Sequence, residues 1–190
     1  MTKNFHLLRD GPDTRDIYQL CVYRRDNNLR DSLVSSDLND TTASVEVRGT
    51  FLCGRSRCNT CAHTNASLTI NTPGGHITIT SKYTCTSYNV VYLIKCRTCN
   101  KAYIGEAGRR LGDRFREHLR STRQTNTYLP VGRHFASPGY ASTDMLVSVI
   151  HSDFRDSQDR RRFEARMIFK HKTLHLGGLN TDFADRKSVV

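Results

Sequence analysis

The stretch Val90 to His118, VVYLIKCRTCNKAYIGEAGRRLGDRFREH, constrains the fold more than any other part of the chain. It opens with the apolar run Val90-Val91-Tyr92-Leu93-Ile94. A short polar turn holding Cys96 and Cys99 follows, then a second β-prone run, Ala102-Tyr103-Ile104-Gly105. Two such runs around a turn predict an antiparallel hairpin. Beyond it, Leu111, Phe115 and Leu119 recur every four residues and share one face of a helix. Arg114 and His118, also four apart, flank that stripe. Two tyrosines on adjacent strands are therefore expected beside an Arg/His pair on the following helix.

The rest of the chain bounds the partner. Lys and Arg number 29 against 18 Asp and Glu, a formal net charge of +11. Such a surplus calls for an anionic partner, nucleic acid or a membrane surface. No apolar run approaches the roughly 20 residues that cross a bilayer. The start, MTKNFHLLRDGPD, lacks the apolar core of a secretory signal. Seven cysteines in a chain expected to be intracellular, and in the nucleus, favour metal binding over disulfides. A basic chain with grouped Cys and His points to nucleic acid, with no membrane role. Hydrophobic residues at 37% suffice for one modest core.

Four segments are expected: a basic one at 1–45, a Cys-rich one at 46–87, a main domain at 88–183 and a tail at 184–190. Residues 1–20 have little periodicity. Within 21–38, Leu29, Leu33 and Val34 fit a short helix preceded by Arg24, Arg25 and Arg30, a solvated face or a phosphate-contacting one. A short strand is expected at Val45–Val47. The cysteines follow as Cys53-x4-Cys58-x2-Cys61-x-His63. The x2 spacing lets Cys58 and Cys61 reach one Zn²⁺ from a tight knuckle. The remaining ligands are open: Cys53 with His63, the pair Cys96 and Cys99 in ribbon fashion, or histidines elsewhere. Reduced thiols without metal are the simpler alternative. Leu68–Ile70 and His76–Thr80, around Pro73-Gly74-Gly75, read as a hairpin with His76 exposed. Tyr128–Tyr140, with two prolines and two glycines, reads as a loop. A buried strand is expected at Asp144–Ile150. A helix is expected from Gln158 to Lys172, capped by Asp156 or Ser157, and carries Arg160, Arg161 and Arg162.

The central stretch resembles the GIY-YIG nucleases. Val90-Val91-Tyr92 stands where that family has GIY, and Tyr103-Ile104-Gly105 is its YIG. Arg114-x3-His118 matches the Arg and His of its first helix. Glu164 in RRFEARMIFK matches its metal-binding Glu, and Gly178-Leu179-Asn180 its closing GLN. Val90, Met167 and Leu176 depart from its usual Gly, Trp and Pro. Taken singly, a strand tyrosine is more often core and a helical Glu more often solvated; the five elements in order carry the likeness. It implies an α/β fold, a three-stranded antiparallel sheet flanked by helices, with a Cys-rich N-terminal extension. It also implies phosphodiester hydrolysis. Glu164 would bind Mg²⁺ or Mn²⁺, Arg114 would clamp phosphate, and Tyr92 or Tyr103 would lie near the attacking water. His118 would take or relay a proton, since an ordinary tyrosine, with pKa near 10, is a poor base. Asn180 would orient Glu164 or the hairpin backbone, and Gly105 would let the backbone approach substrate.

The order YRR-x2-NLRD-x-LV-x-S-x-L, Cys-rich stretch, GIY-YIG is similar to the C-terminal endonuclease region of Penelope-like retroelements. That likeness implies DNA as partner, with element RNA or a reverse transcriptase encoded elsewhere as further partners. Arg133-His134-Phe135 resembles that family's HF element and implies a DNA or metal contact. Arg24, Arg25, Arg55, Arg57, Arg133 and Arg160 to Arg162 are expected to supply phosphate contacts. Two other classes fit the charge and the cysteines: a zinc-dependent nucleic-acid-binding module without catalysis, and a host structure-specific repair nuclease.

Overall fold

The computed structural model describes residues 47–124, 128–174 and 177–181. The expected segment around Arg24 and Arg25 lies outside them. Among the described residues, seven strands and three α-helices follow in order. They are β1 (Gly49–Phe51), β2 (Thr69–Thr72), β3 (Gly75–Thr78), β4 (Lys82–Thr84), β5 (Val90–Cys96) and β6 (Ala102–Ala107). Then come α1 (Leu111–Ser121), α2 (Pro130–Ala136), β7 (Met145–His151) and α3 (Ser157–Lys170).

The core is an antiparallel sheet in the order β6-β5-β7. β5 is central and buried at every residue but Lys95, as a near-continuous Val/Tyr/Leu/Ile run requires of a strand covered on both faces. It pairs with β6 so that Tyr92 faces Gly105 and Ile94 faces Tyr103. On its other side Ile94 faces Val147. Helices α1 and α3 add Leu111, Phe115, Met167 and Ile168 to this core. Each such side chain contributes roughly 1.5–3 kcal/mol on leaving water. Asp156 caps α3, its carboxylate accepting from the N–H groups of Gln158 and Asp159 at 2.7 and 2.8 Å; this satisfies two donors that the helix cannot. The fold is the expected mixed α/β core with a cysteine cluster in the N-terminal extension.

That extension is docked on the edge strand β7. The N–H of Val149 donates to Thr50 Oγ1 at 2.8 Å, and the N–H of Asn65 donates to the Val147 carbonyl at 3.0 Å. The β2–β3 hairpin forms as expected, with Ile70 facing Ile77.

Two local expectations are corrected. Tyr128–Tyr140 is not a continuous loop: α2 occupies Pro130–Ala136, with the proline in its first turn. A proline there loses no hydrogen bond and presets φ for a helix, and Val131 and Phe135 give the short helix a buried side. The first described strand begins at Gly49; of the strand expected at Val45–Val47, only the half-exposed Val47 is among the described residues, and it is not in a strand. The partner of β1 is the distant β4, in parallel. No described helix is long and apolar enough to cross a membrane.

Candidate active site and metal centres

The β5–β6 hairpin and α1 bring four of the expected residues together. Tyr92, Tyr103 and His118 are each no more than 1% exposed, and Arg114 is 7% exposed. The three rings form a triangle: 6.4 Å between the tyrosines, 5.9 Å from Tyr92 to His118 and 5.5 Å from Tyr103 to His118. Tyr92 Oη lies 2.8 Å from His118 Nε2, and Arg114 Nε donates to the same hydroxyl at 3.2 Å. Arg114 also pairs with Glu117 at 2.9 Å, and Arg109 shares that carboxylate.

Gly105 makes this packing possible. It stands opposite Tyr92 in the ladder. A Cβ there would lie 2.7 Å from Tyr103 Cε1 and 2.8 Å from Tyr92 Oη. Beside the expected role of Gly105, close approach to substrate, the structure gives it a local one: the missing side chain is the space the tyrosine rings fill.

Burial sets the protonation of the cluster. Desolvation, reinforced by the Arg114 charge, lowers His118 to about 3, so the ring is neutral at physiological pH. Burial acts to lower the pKa of Arg114, but Tyr92, the Glu117 carboxylate and Tyr103 outweigh it and raise it further. Burial works against ionisation of Glu117, yet its bonds to Arg114 and Arg109 hold it below the usual carboxylate range. The permanent cation beside the Tyr92 hydroxyl can stabilise negative charge on that oxygen, and the neutral imidazole can accept a hydrogen bond from it.

Asn180 braces the hairpin, one of its two expected targets. Its Oδ1 accepts from the Ile104 N–H at 2.9 Å, and its Nδ2 donates to the Ile104 carbonyl at 2.8 Å. A side chain at Gly178 would run into the Thr173 carbonyl, so the glycine lets this segment pass close enough for Asn180 to reach β6. Glu164 is 1% exposed on α3, among the helix's buried residues Arg160, Met167 and Ile168.

The basic block on α3 divides. Arg161 and Arg162 are exposed and open to phosphate, as is Arg133 on α2. Arg160, expected to contact DNA, is only 8% exposed. Its Nε bonds Glu106 Oε2 at 2.5 Å and its Nη1 bonds Asn89 Oδ1 at 2.5 Å. The helical repeat turns one arginine of the three into the core, where only a carboxylate partner makes its burial tolerable.

The described cysteines form two separate groups, so the two Cys-x2-Cys pairs do not share one ion. Cys53, Cys58, Cys61 and Cys85 offer sulfurs all within 4.8 Å of one another. The Sγ separations are 3.3 Å for Cys58–Cys85, 3.5 Å for Cys53–Cys61 and 3.8 Å for Cys61–Cys85. Four sulfurs at tetrahedral corners, roughly 2.3 Å from a zinc, lie about 3.8 Å apart. The donor set therefore fits Zn²⁺. The Arg55 backbone and the neighbouring cysteines lower Cys53 to about 6, whereas burial pushes Cys61 and Cys85 up.

Two assignments change here. His63 lies outside the four-sulfur group: its Nδ1 is 3.1 Å from the Met145 carbonyl and its ring packs 5.1 Å from Phe115. Cys85, left between the groups by its position in the sequence, completes the four-sulfur group. The parallel pairing of Phe51 with Thr84 carries Cys53 and Cys85 off the same end of two adjacent strands. Periodicity within one segment holds no sign of that pairing.

The second group is Cys96, Cys99 and His134, again within 4.8 Å. His134 Nε2 is 3.5 Å from Cys99 Sγ, and its ring packs 4.2 Å from Tyr140. Burial, then Lys101, lowers its pKa, which keeps the imidazole neutral, as a metal ligand must be. Of its two expected roles, DNA contact and metal contact, the half-buried position favours metal.

Residues 88–179 match the family model of the GIY-YIG catalytic domain. No curated protein and no solved structure matches the chain. The match supports a nuclease activity, of endonuclease type, and DNA as its substrate.

Proposed function

We propose that this protein is a divalent-metal-dependent DNA endonuclease whose chemistry is carried by Tyr92, Tyr103, Arg114, His118, Glu164 and Asn180. The observation that carries the reading is the Tyr92 hydroxyl held between Arg114 and His118 inside the region that matches the GIY-YIG catalytic domain. Arg114 cannot give up its proton, so it donates to Tyr92 Oη. When the hydroxyl in turn donates to His118 Nε2, the tyrosine oxygen is fixed between cation and imidazole; with its pKa lowered to about 3, His118 orients Tyr92 as a hydrogen-bond acceptor and does not serve as the final base. Arg114 stabilises charge on the tyrosine oxygen and on the phosphate. Glu164 offers one buried carboxylate, which suits Mg²⁺ or Mn²⁺ held by one protein ligand, waters and substrate phosphate. Such an ion supplies Lewis-acid stabilisation of the phosphate and of the 3′ leaving oxygen.

Zn²⁺ at Cys53, Cys58, Cys61 and Cys85 is structural in this reading, because all four positions are filled by protein and none is left for water. Arg133, Arg161 and Arg162, with Arg24 and Arg25, supply sequence-independent affinity for the DNA backbone. The YRR and NLRD segment supports an origin in a Penelope-like retroelement. The activity would then nick nuclear target DNA for insertion, alongside element RNA or a separately encoded reverse transcriptase.

Supercoiled plasmid incubated with and without Mg²⁺ tests the reading. Nicking that needs the ion, and that Glu164→Ala abolishes without loss of DNA binding, supports it. DNA binding with no cleavage under Mg²⁺ or Mn²⁺ would leave the non-catalytic zinc module in its place.

A further inference from the structure

The buried contact between Glu106 and Arg160 joins the two elements that carry the proposed chemistry. Glu106 follows Tyr103-Ile104-Gly105 directly on β6, and Arg160 lies one turn before Glu164 on α3. Residues four apart on a helix share a face and are separated by about 6 Å along the axis. We propose that Glu106 and Arg160 are positioning residues: their ion pair sets the register of α3 against β6 and so holds Glu164 for the divalent ion. The inference rests on the nuclease reading.

Three features make the contact a clamp. The guanidinium reaches two partners, Glu106 through Nε and Asn89 through Nη1, each at 2.5 Å. Asn89 is itself pinned: its N–H donates to the Gly108 carbonyl at 3.2 Å and its Nδ2 to the Phe154 carbonyl at 2.8 Å. Arg160 thereby ties together the end of β6, the start of β5 and the loop entering α3. Space is also reserved for it, since a Cβ at Gly108 would lie 3.2 Å from Arg160 Nη2.

Energetics separate this role from simple stabilisation. The pair is 7–8% exposed, and desolvating two charges costs about what their attraction returns. Replacing a buried ion pair by apolar residues of similar volume is often neutral or stabilising. What apolar contacts lack is direction. A planar fork bonded to a carboxylate resists sliding, whereas a one-residue slip of α3 would displace Glu164 by about 1.5 Å.

The experiment compares wild type with Glu106→Leu/Arg160→Met and with Arg160→Lys, which keeps the charge but loses the fork. Thermal midpoint, kcat and KM for nicking a labelled duplex are measured, with Mn²⁺ affinity by paramagnetic resonance in the absence of DNA. The apolar pair is expected to fold with a midpoint near wild type, while kcat falls on the order of 10²-fold, the scale of a 1 Å misplacement. KM should change little, and Mn²⁺ should bind more weakly. Arg160→Lys should lose kcat in the same sense and serves if the double variant does not fold. Folded variants with wild-type kcat and wild-type Mn²⁺ affinity would overturn the clamp. Failure of the wild type itself to cleave would sink the nuclease reading, and the Mn²⁺ arm would still decide the clamp.

Discussion

Tyr92 Oη and His118 Nε2 lie 2.8 Å apart, with the His118 ring buried and its pKa lowered to about 3 by that burial and by Arg114. Among the described residues His118 Nδ1 has no hydrogen-bond partner. A buried imidazole with one nitrogen unsatisfied costs about 1–3 kcal/mol. An arrangement maintained at that cost is a reasonable place to look for function.

Tyr92→Phe should therefore slow single-turnover DNA cleavage by roughly 10²-fold or more, the usual range for removal of a proton carrier. Arg114→Ala should cost at least about 10²-fold, as for removal of one transition-state donor. Quenched-flow cleavage of an end-labelled duplex measures both. Wild-type rates in Tyr92→Phe would remove that hydroxyl from the mechanism.

Folding stability should fall in acid. His118 is uncharged in the native state down to about 3 but takes a proton in the unfolded state below its ordinary 6.5. The unfolded chain therefore binds more protons between those values, and stability drops by up to roughly 1.4 kcal/mol per pH unit as pH falls through that window. Burial lowers His134 and His171 in the same direction. Urea melts at pH 7 and pH 5 should show a loss that is smaller in His118→Gln. An equal loss in that variant would assign the effect to the other histidines.

Zinc content separates the ligands. Cys85→Ser should lose as much zinc as Cys58→Ser, whereas His63→Ala should keep it. Colorimetric metal release from freshly purified protein reads this directly. Full zinc in Cys85→Ser would restore an alternative fourth ligand.

The three arginines of the α3 block should behave differently. Neutralising Arg161 and Arg162 should reduce the slope of log affinity against log salt by roughly 0.9 for each phosphate they no longer neutralise. Arg160→Ala should leave that slope unchanged but destabilise the fold by roughly 3–5 kcal/mol, because it strands the Glu106 carboxylate. Fluorescence anisotropy over a salt series, with denaturant melts, distinguishes them. A flattened slope in a stable Arg160→Ala protein would return Arg160 to the DNA interface.

The sequence by itself determined the elements whose signal is local. The two apolar runs around Tyr92 and Tyr103, separated by a short polar turn, and the four-residue recurrence of Leu111 and Phe115 placed the hairpin and α1, because such signals and backbone geometry are coupled within a few residues. Motif order singled out Glu164 and Asn180 as candidates. Tertiary structure alone decided which residues meet across long separations. The parallel pairing of β1 with β4 chose Cys85 over His63, and His134 joined Cys96 and Cys99 through the placement of α2. The helical phase of α3 against β6 turned Arg160 inward to Glu106 while Arg161 and Arg162 stayed in water. An arginine block looks the same along the chain whichever side is buried. Only the packing of one element on another, and the cost of leaving a buried charge without a partner, assigns one residue to the core and its neighbours to the surface.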